Sequence, residues 1–369
     1  VRKHYAMGRT ALELAYVMPD KKTAYLTDDG RMVGLFMFVA DRKKDLSAGT
    51  LYAARWEQTS ADGVGLGEAD LSWINLGHAS NAEIAAYLTG PGKVTFADIF
   101  DAAIPNADGT CNDGFALVAK GHRETAGETY AECLKLKPGM AKAASRLETR
   151  RYAALMGATT EFNKEEGITY DPDMKRLYIA MSDVTDGMLD NDDKEQFNGV
   201  LVGPNDIRVA ENRCGAVYGA DVSKRPKDTS GRRIKSRFVA TNMYPVVAGD
   251  TTSGTDADNS CNVGNIASPD NISYLPGYGT LIIGEDTSRH QNDMVWSFDT
   301  KNGDLTRIQT TPYGSETTSV YWYPNINGFG YLMSVIQHPF GESDETEYVT
   351  GSSADRGYSG YIGPLPALK

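Results

Sequence analysis

Four acidic residues occupy the same place in a repeated pattern. Glu13, Glu166 and Asp270 each stand six residues before a proline, and Glu316 stands eight residues before one. If the copies are structurally equivalent, the four carboxylates converge on one place. Like charges held together raise one another's pKa values unless cations lie among them. Calcium is the expected cation, because it takes six to eight oxygen ligands from carboxylates, amide carbonyls and water.

Two neighbouring residues could complete such a metal site. Asn271, next to Asp270, offers a neutral amide oxygen, and Glu285 offers a further carboxylate near the end of a following strand. A single acid at a strand start is often only a solvated turn or capping residue. Four acids in register favour a shared site instead.

Arginine and histidine residues near these acids could take part in chemistry. Arg9 lies four residues before the first acid and Arg289 four residues after Glu285, so each could pair with an acid or bind an anionic substrate. His290 and His338 lie just past repeat hairpins, and we expect them at the surface or behind the ligands. The sequence contains no G-x-S-x-G, H-E-x-x-H or G-x-x-x-x-G-K-[ST] motif.

The elements that position the acids read as hairpins. Each copy has a strand rich in β-branched and aromatic residues, a turn containing proline, and a second such strand. Further short strands are predicted at 49–55, 215–221 and 294–299. Hairpins repeated along a chain fit a β-propeller, whose blades are four-stranded sheets around a channel. A β-sandwich also has short strands, but would not place an acid at one end of every hairpin. We therefore predict an all-β fold, with residues 1–369 as one propeller domain.

One long segment interrupts the repeats with a helical pattern. Residues 77–160 form the predicted helical insertion, and its helices are expected at 81–88, 95–100 and 139–156. The apolar stripe of the last helix is expected to pack on the propeller rather than on a cofactor.

Composition excludes two classes of protein. The chain has 37 Lys and Arg against 49 Asp and Glu, a net charge of −12. A chain this acidic, in which we expect no clustered basic face, is a poor candidate for a nucleic-acid binder, because phosphate contacts need Lys and Arg. The longest strongly apolar run, Val33–Ala40, is far shorter than the roughly 20 residues of a membrane-spanning helix.

The four cysteines favour an oxidising compartment. They allow three pairings, of which we favour Cys111 with Cys133 and Cys214 with Cys261, because each closes a loop within one region. Four buried free thiols are the alternative.

Several stretches of the chain resemble the PhoX-type alkaline phosphatases and their relatives, in the family's own order. The matching stretches are Gly8-Arg9 to Glu13, Tyr25 to Gly30, Gly49 to Arg55, Thr149 to Thr160 leading into Glu166, Ser268 to Asn271, and Glu316 to Pro339. The resemblance implies a six-bladed propeller in the bacterial periplasm or outside the cell. It also implies a phosphomonoesterase site that contains calcium and iron and acts on small phosphorylated substrates. By carry-over, the site acids are Glu13, Glu166, Asp270 and Glu316, with Asn271 and Glu285 as neighbours.

The chain departs from the family pattern at its start. A W-G-T segment and a Cys-Glu-Glu run, whose Cys is an iron ligand in the family, are not found, so Ca²⁺ is expected while Fe³⁺ lacks that ligand. Leu12 stands where phosphatase members commonly place His. The chain begins at Val1, inside the family pattern, and four acid-headed hairpins are fewer than six blades require. We expect a preceding N-terminal fragment or an assembly partner to complete the propeller.

These observations predict a metal-dependent phosphoester hydrolase with a calcium-rich carboxylate cluster at the channel mouth. The alternative is a non-catalytic, calcium-stabilised secreted propeller with a structural or binding role. A calcium-dependent lactonase or other esterase is a third reading, since a fold alone does not fix the chemistry.

Overall fold

The computed structural model describes residues 2–119, 131–191, 196–197, 200–252, 259–341 and 356–367. Strands dominate these residues. In the first part of the chain the strands are β1 (Leu12–Val17), β2 (Thr23–Asp28), β3 (Arg31–Val33), β4 (Phe36–Arg42), β5 (Asp45–Gln58), β6 (Ala69–Ser80), β7 (Phe100–Ala103), β8 (Ala116–Ala119), β9 (Ala131–Leu136) and β10 (Phe162–Asn163). In the remainder they are β11 (Glu165–Asp171), β12 (Arg176–Met181), β13 (Gln196–Phe197), β14 (Val200–Leu201), β15 (Ala216–Ser223), β16 (Val239–Ala240), β17 (Asn242–Ala248), β18 (Pro269–Leu275), β19 (Thr280–Glu285), β20 (Met294–Asp299), β21 (Leu305–Thr310), β22 (Glu316–Ile326), β23 (Phe329–Gln337) and β24 (Tyr358–Pro366).

Helices are few and short. The α-helices among the described residues are α1 (Asn81–Leu88), α2 (Phe96–Ile99), α3 (Ala141–Leu147) and α4 (Thr149–Leu155). Single 3₁₀ turns occupy Tyr5–Met7, Gly90–Gly92 and Asp186–Met188. None of the helices in the described part of the chain is long and apolar enough to cross a bilayer.

The chain divides into two compact units. Unit 1 comprises Val1–Glu165, Thr185–Glu211 and Val222–Met243, and unit 2 comprises Glu166–Val184, Asn212–Asp221 and Tyr244–Lys369.

Unit 1 is built on an antiparallel sheet with the strand order β1-β2-β4-β5-β6. Every residue of β2 is buried, because β2 and β4 lie inside the sheet and carry apolar side chains on both faces. Phe36, Phe38 and Leu51 form its core together with residues of the insertion such as Ile99 and Leu134. The insertion therefore packs on this sheet through apolar side chains.

The insertion contains the predicted helices and also a small sheet. Strands β7, β9 and β8 form a three-stranded antiparallel sheet. The disulfide Cys111–Cys133, with a Cα–Cα distance of 5.6 Å, joins the segment between β7 and β8 to β9. The predicted helix at 139–156 is two helices, because the backbone of Glu148 leaves the helical region (φ −132°, ψ 54°). The carboxylate of Glu148 pairs at this break with Arg9 and Arg151.

Unit 2 contains three sheets of the kind predicted from the repeats. Their strand orders are β11-β12-β15-β17, β18-β19-β20-β21 and β22-β23-β24. Glu166 and Asp270 are the second residues of β11 and β18, and Glu316 is the first residue of β22. The sequence therefore located the first strand of each sheet and the acid at its start. The second favoured disulfide is also confirmed, since Cys214 pairs with Cys261 at a Cα–Cα distance of 5.9 Å.

The prolines of the repeats behave in two ways. Pro172 and Pro276 follow β11 and β18 directly and begin the predicted turns. Pro324 instead lies inside β22, and the turn falls at Asn327 and Gly328. The pairing of β22 with β23 shifts register between Tyr323 and Ile326. A proline fits such an irregularity because it cannot donate a ladder hydrogen bond.

Candidate metal centre

Three carboxylates meet in unit 2. Asp270, Asp286 and Glu316 each offer an oxygen, and these oxygens all lie within 4.8 Å of one another. Asp270 is 6% exposed and Glu316 is 8% exposed, whereas Asp286 is half-buried. Three acids so close together repel one another unless a cation lies among them. Carboxylate oxygens are the ligands that calcium prefers.

The ends of the strands are fixed to one another at this cluster. The backbone N–H of Glu285 donates to the Thr317 hydroxyl at 2.7 Å, and that hydroxyl donates to the Glu285 carbonyl at 3.0 Å. A Cβ on Gly284 would lie 2.6 Å from Thr317 Oγ1, so this position needs glycine. The end of β19, and with it Asp286, is thereby held against the start of β22.

Neighbouring side chains hold the carboxylates in place. Asn271 donates to Asp270 Oδ1 at 2.5 Å and accepts from the backbone N–H of Ser319 at 2.5 Å. Its amide is therefore occupied in joining β18 to β22, and it orients Asp270 from the side.

Glu316 is held by two residues at the end of β23. Gln337 Nε2 donates to Glu316 Oε2 at 2.6 Å, and His338 Nε2 lies 3.0 Å from the same oxygen. The second oxygen of Glu316 is not part of either contact. His338 thus stands behind a predicted ligand, the supporting position that we expected for it.

Glu285 has a different environment from its neighbour Asp286. Its carboxylate is fully buried and accepts from the N–H groups of Ala267 and Met294 (both 2.9 Å) and from Trp296 Nε1 (2.7 Å). His290 Nδ1 lies 3.1 Å from Glu285 Oε2, and His290 is itself fully buried rather than at the surface. Both oxygens of Glu285 are therefore engaged by protein groups, and Asp286, which sequence reasoning missed, is the residue in the cluster.

Asp293 is a second buried acid that sequence reasoning missed. Burial, with a smaller contribution from the charges of Glu285, Asp286 and Glu316, raises the pKa of Asp293 to about 10. The N–H of Thr287 donates to its Oδ2 at 3.1 Å. No motif signalled this residue in the sequence. Its raised pKa therefore comes first from burial and then from the negative charge of the neighbouring acids, and a bound cation would offset the second contribution.

Glu166 lies in the same unit at the start of β11. Ser182 Oγ donates to Glu166 Oε1 at 3.1 Å and lies 3.5 Å from the carbonyl of Pro269. A Cβ on Gly167 would overlap the carbonyl of Asp270, so the backbones of β11 and β18 approach closely there. Glu166 is thus placed on the strand that packs against the strand of Asp270.

Two further predicted site residues, Glu13 and Arg9, belong to unit 1. Glu13 is the second residue of β1 in unit 1, and its side chain is exposed. Arg9, also in unit 1, donates to the carbonyl of Leu147 at 3.2 Å and to Glu148 Oε1 at 3.3 Å. Arg9 therefore pairs with Glu148, and it lines a cavity of about 300 Å³ together with two further arginines.

Arg289 lies in unit 2 and is half-exposed. Its backbone N–H donates to Thr287 Oγ1 at 3.0 Å. Its guanidinium makes no hydrogen bond or ion pair within the described ranges. The spacing suggested a pairing with Glu285, but the protein groups around Glu285 are Ala267, Met294, Trp296 and His290.

Antiparallel sheets that open with an acid, and that collect carboxylates at those openings, are the features of a β-propeller protein with an acidic centre that could hold a cation. The sequence matches the family "Alkaline phosphatase PhoX" over residues 1–339, and the chain belongs to this family.

Comparison with solved structures agrees with the fold. Pseudomonas fluorescens PhoX in complex with vanadate, a transition-state analogue, matches with a TM-score of 0.57 and 19% sequence identity. The match covers 97% of this chain and 54% of that chain, so this chain spans about half the length of the solved relative. The tricorn protease also matches, with a TM-score of 0.24 and 9% identity over 96% of this chain and 36% of that one, a likeness too weak to indicate a shared fold. A comparison with curated proteins found no match. The fold is a β-propeller with an insertion that carries the helices, as the sequence predicted.

Proposed function

We propose that this chain is a metal-dependent phosphomonoesterase that acts on small phosphorylated substrates. The observation that carries the proposal is the approach of Asp270, Asp286 and Glu316 to within 4.8 Å of one another in a member of the PhoX family. The complex of a solved relative with vanadate, a transition-state analogue, supports phosphate ester chemistry for that relative.

The residues fit a hard cation. Asp270, Asp286 and Glu316 would hold calcium, since all three offer carboxylate oxygens and two of them are buried. Glu166 and Glu13 are further ligands by family resemblance, and both stay predictions. Iron is not assigned to any residue here, because the family's Cys ligand segment is not in the sequence.

The surrounding groups prepare the carboxylates. Gln337 and His338 fix one oxygen of Glu316, and Asn271 fixes one oxygen of Asp270, so these acids are ordered before anything binds. Bound divalent cations supply charge that stabilises a phosphoryl group and lowers the pKa of a water. Arg289, whose guanidinium has no partner within the described ranges, can bind the anionic substrate. Arg9 lines the cavity of about 300 Å³ that also contains two further arginines.

An oxidising location is part of the proposal. Each disulfide joins two cysteines of the same unit, one pair in unit 1 and one in unit 2. Two such disulfides suit a periplasmic or extracellular protein.

The test combines metal analysis with a phosphatase assay on the full chain. We expect bound calcium by mass spectrometry of the metal content, hydrolysis of p-nitrophenyl phosphate, and loss of both after chelation. E316Q should lower calcium content and reduce kcat/KM at least 100-fold. The matched control D304N removes an exposed acid from the turn before β21 and should leave both unchanged.

The outcomes separate the three readings of the sequence. Bound calcium without turnover of any phosphomonoester would indicate the non-catalytic, calcium-stabilised propeller. Hydrolysis of lactones but not of phosphate esters would indicate an esterase. Full calcium content and full turnover in E316Q would show that Glu316 is not needed for calcium binding or catalysis, and would contradict the proposed role of the cluster.

A further inference from the structure

Unit 1 contains a cavity of about 320 Å³ with an excess of positive charge. Four cationic side chains line it: Lys22, Arg232, Arg233 and Lys235. Only two acids, Asp41 and Asp228, share the lining. The excess of two positive charges lies in a chain whose net charge is −12.

Both acids of this cavity are already engaged by other groups. Asp41 Oδ2 lies 2.9 Å from His78 Nε2. The carboxylate of Asp228 is buried and accepts from the backbone N–H and hydroxyl of Ser230, from the backbone N–H of Arg232 and from Asn75 Nδ2, at 2.7 to 3.2 Å. Among the residues that the structure describes, neither acid therefore forms an ion pair with any of the four cations.

The four cations lack partners of their own. In the part of the chain that the structure describes, no hydrogen bond or ion pair involves the side-chain nitrogens of Lys22, Arg232, Arg233 or Lys235. Arg232, Arg233 and Lys235 are exposed, and Lys22 is half-buried. Unpaired cations grouped around one cavity are a complementary surface for an anion.

The loop that carries three of these cations is rigidly held. The N–H of Asp228 donates to the carbonyl of Arg232 at 2.8 Å, and the N–H of Ile234 donates to the carbonyl of Pro226 at 2.9 Å. The side chain of Ile234 is fully buried, which anchors the loop between Arg233 and Lys235. The backbone of the site is thus ordered in advance, which lowers the entropic cost of binding.

The cavity lies at the opposite end of the β1–β2 hairpin from Glu13. Glu13 is next to Leu14, whose N–H bonds to Thr27 near the end of β2, whereas Lys22 immediately precedes β2. Six residues of strand span roughly 17–20 Å. The cavity is therefore distinct from the start of β1, which carries Glu13.

We propose that this cavity binds the phosphoryl group of a small molecule, or inorganic phosphate, as a second site that takes no part in hydrolysis. A phosphate monoester carries a charge of about −1.5 to −2, which matches the excess of two positive charges. The planar guanidinium groups of Arg232 and Arg233 suit bidentate contact with phosphate oxygens, and Lys22 and Lys235 add point charges. The volume suits a small molecule rather than an extended polymer.

The test is calorimetric titration of the metal-free protein with inorganic phosphate. The full chain is stripped with chelator and dialysed free of it, so that phosphate cannot bind through metal ions. We expect saturable binding that weakens with added NaCl. The double variant R233Q/K235Q should weaken it about tenfold, because two charge-assisted contacts are lost. The control K224Q/R237Q removes two exposed cations from the same segment, outside the cavity lining, and should change the affinity less than twofold.

Each remaining outcome decides against the proposal or refines its ligand. No saturable binding by the metal-free protein overturns it, and so does equal weakening in both double variants, which would show only a general effect of charge. Binding restricted to long polyphosphate would also overturn it, in favour of a surface for polyanions. A parallel titration with glycerol 3-phosphate distinguishes a phosphomonoester from free phosphate as the preferred source. Because no metal or turnover is involved, failure here leaves the proposed hydrolase untouched.

Discussion

Glu285 and Asp286 are adjacent acids with opposite roles. Glu285 accepts four hydrogen bonds inside unit 2, while Asp286 offers an oxygen to Asp270 and Glu316. Sequence reasoning selected Glu285 because it ends a predicted strand. Which of two consecutive acids faces the cluster depends on where the strand ends and how its last residue points, and neither residue type nor spacing contains that information.

The substitution E285Q separates the two roles. In metal-free buffer it should destabilise the protein by about 3 kcal/mol, because an amide NH₂ would face an N–H donor and two charge-assisted bonds would be lost. E316Q in the same buffer should have little effect or stabilise, since it relieves repulsion among the acids. Urea unfolding measures both. If E285Q leaves stability intact but removes calcium, Glu285 is a ligand after all.

At the scale of elements, glycines let neighbouring strands approach closely where the acids lie. Gly167 follows Glu166, and its Cα faces the backbone of Asp270 without room for a side chain. Gly284 precedes Glu285, and a Cβ there would lie 2.6 Å from the hydroxyl oxygen of Thr317. The cluster therefore depends on close backbone packing as well as on its acids.

The substitution G167A tests this dependence. The added methyl should force β11 and β18 apart, cost about 1–3 kcal/mol of unfolding free energy and weaken calcium binding. G360A in β24 is the matched control, because a Cβ there meets no atom within 4 Å, and it should stay within about 0.5 kcal/mol of the wild type. Thermal unfolding with and without calcium measures both effects. Equal stability of the two variants would show that the strands can separate without cost.

The elements were predictable where a residue type has one structural consequence. Two hairpins of unit 2 were located by the proline that follows β11 or β18 and by the apolar runs on either side of it. Pro324 was misplaced because a proline also fits a bulge inside a strand. The strands β7, β8 and β9 were missed because they are short, and their neighbours carry a helical pattern that dominates the window.

At the scale of the whole molecule, charge is unevenly distributed. The chain is acidic, yet residues 224–237 contain seven Lys and Arg and one acid. The expectation that the chain has no clustered basic face was wrong, because an average over the sequence conceals this segment. Lys22, which joins it in space, is about 200 residues away in sequence, a contact that only the fold supplies.

Stability should depend on pH through a buried acid of unit 1. Burial raises the pKa of Glu161 from 4.5 to about 8, although Oε2 accepts from the N–H of Ile207 at 2.9 Å. Between these values the folded state holds a proton that the unfolded state has released, so stability falls as pH rises from about 4.5 to about 8. The loss should be on the order of 4 kcal/mol.

The variant E161Q tests the assignment. It should be about as stable as the wild type at pH 5 and more stable at pH 8, because an amide cannot ionise. Urea unfolding at the two pH values measures the difference, and E68Q, at an exposed acid, is the control. An unchanged pH dependence in E161Q would mean that another group is responsible.

The predictions about the complete assembly are not tested by these residues. One propeller domain, six blades, and a preceding fragment or partner that completes the ring all stay predictions. The chain spans about half the length of the solved relative, so the number of blades in the relative does not give the number in this chain.

The hydrogen bond from Trp296 to Glu285 places a fluorescent side chain near the acid cluster. The indole N–H donates to the carboxylate of Glu285, which directly precedes Asp286 of the acid cluster. The backbone N–H of Glu285 is in turn bonded to Thr317 at the start of β22. Indole emission shifts with the electric field along the ring, so loading the cluster with cations should change the fluorescence of Trp296. Metal occupancy could then be followed in unlabelled protein, and replacing Trp296 by Phe would show how much of the signal comes from that ring.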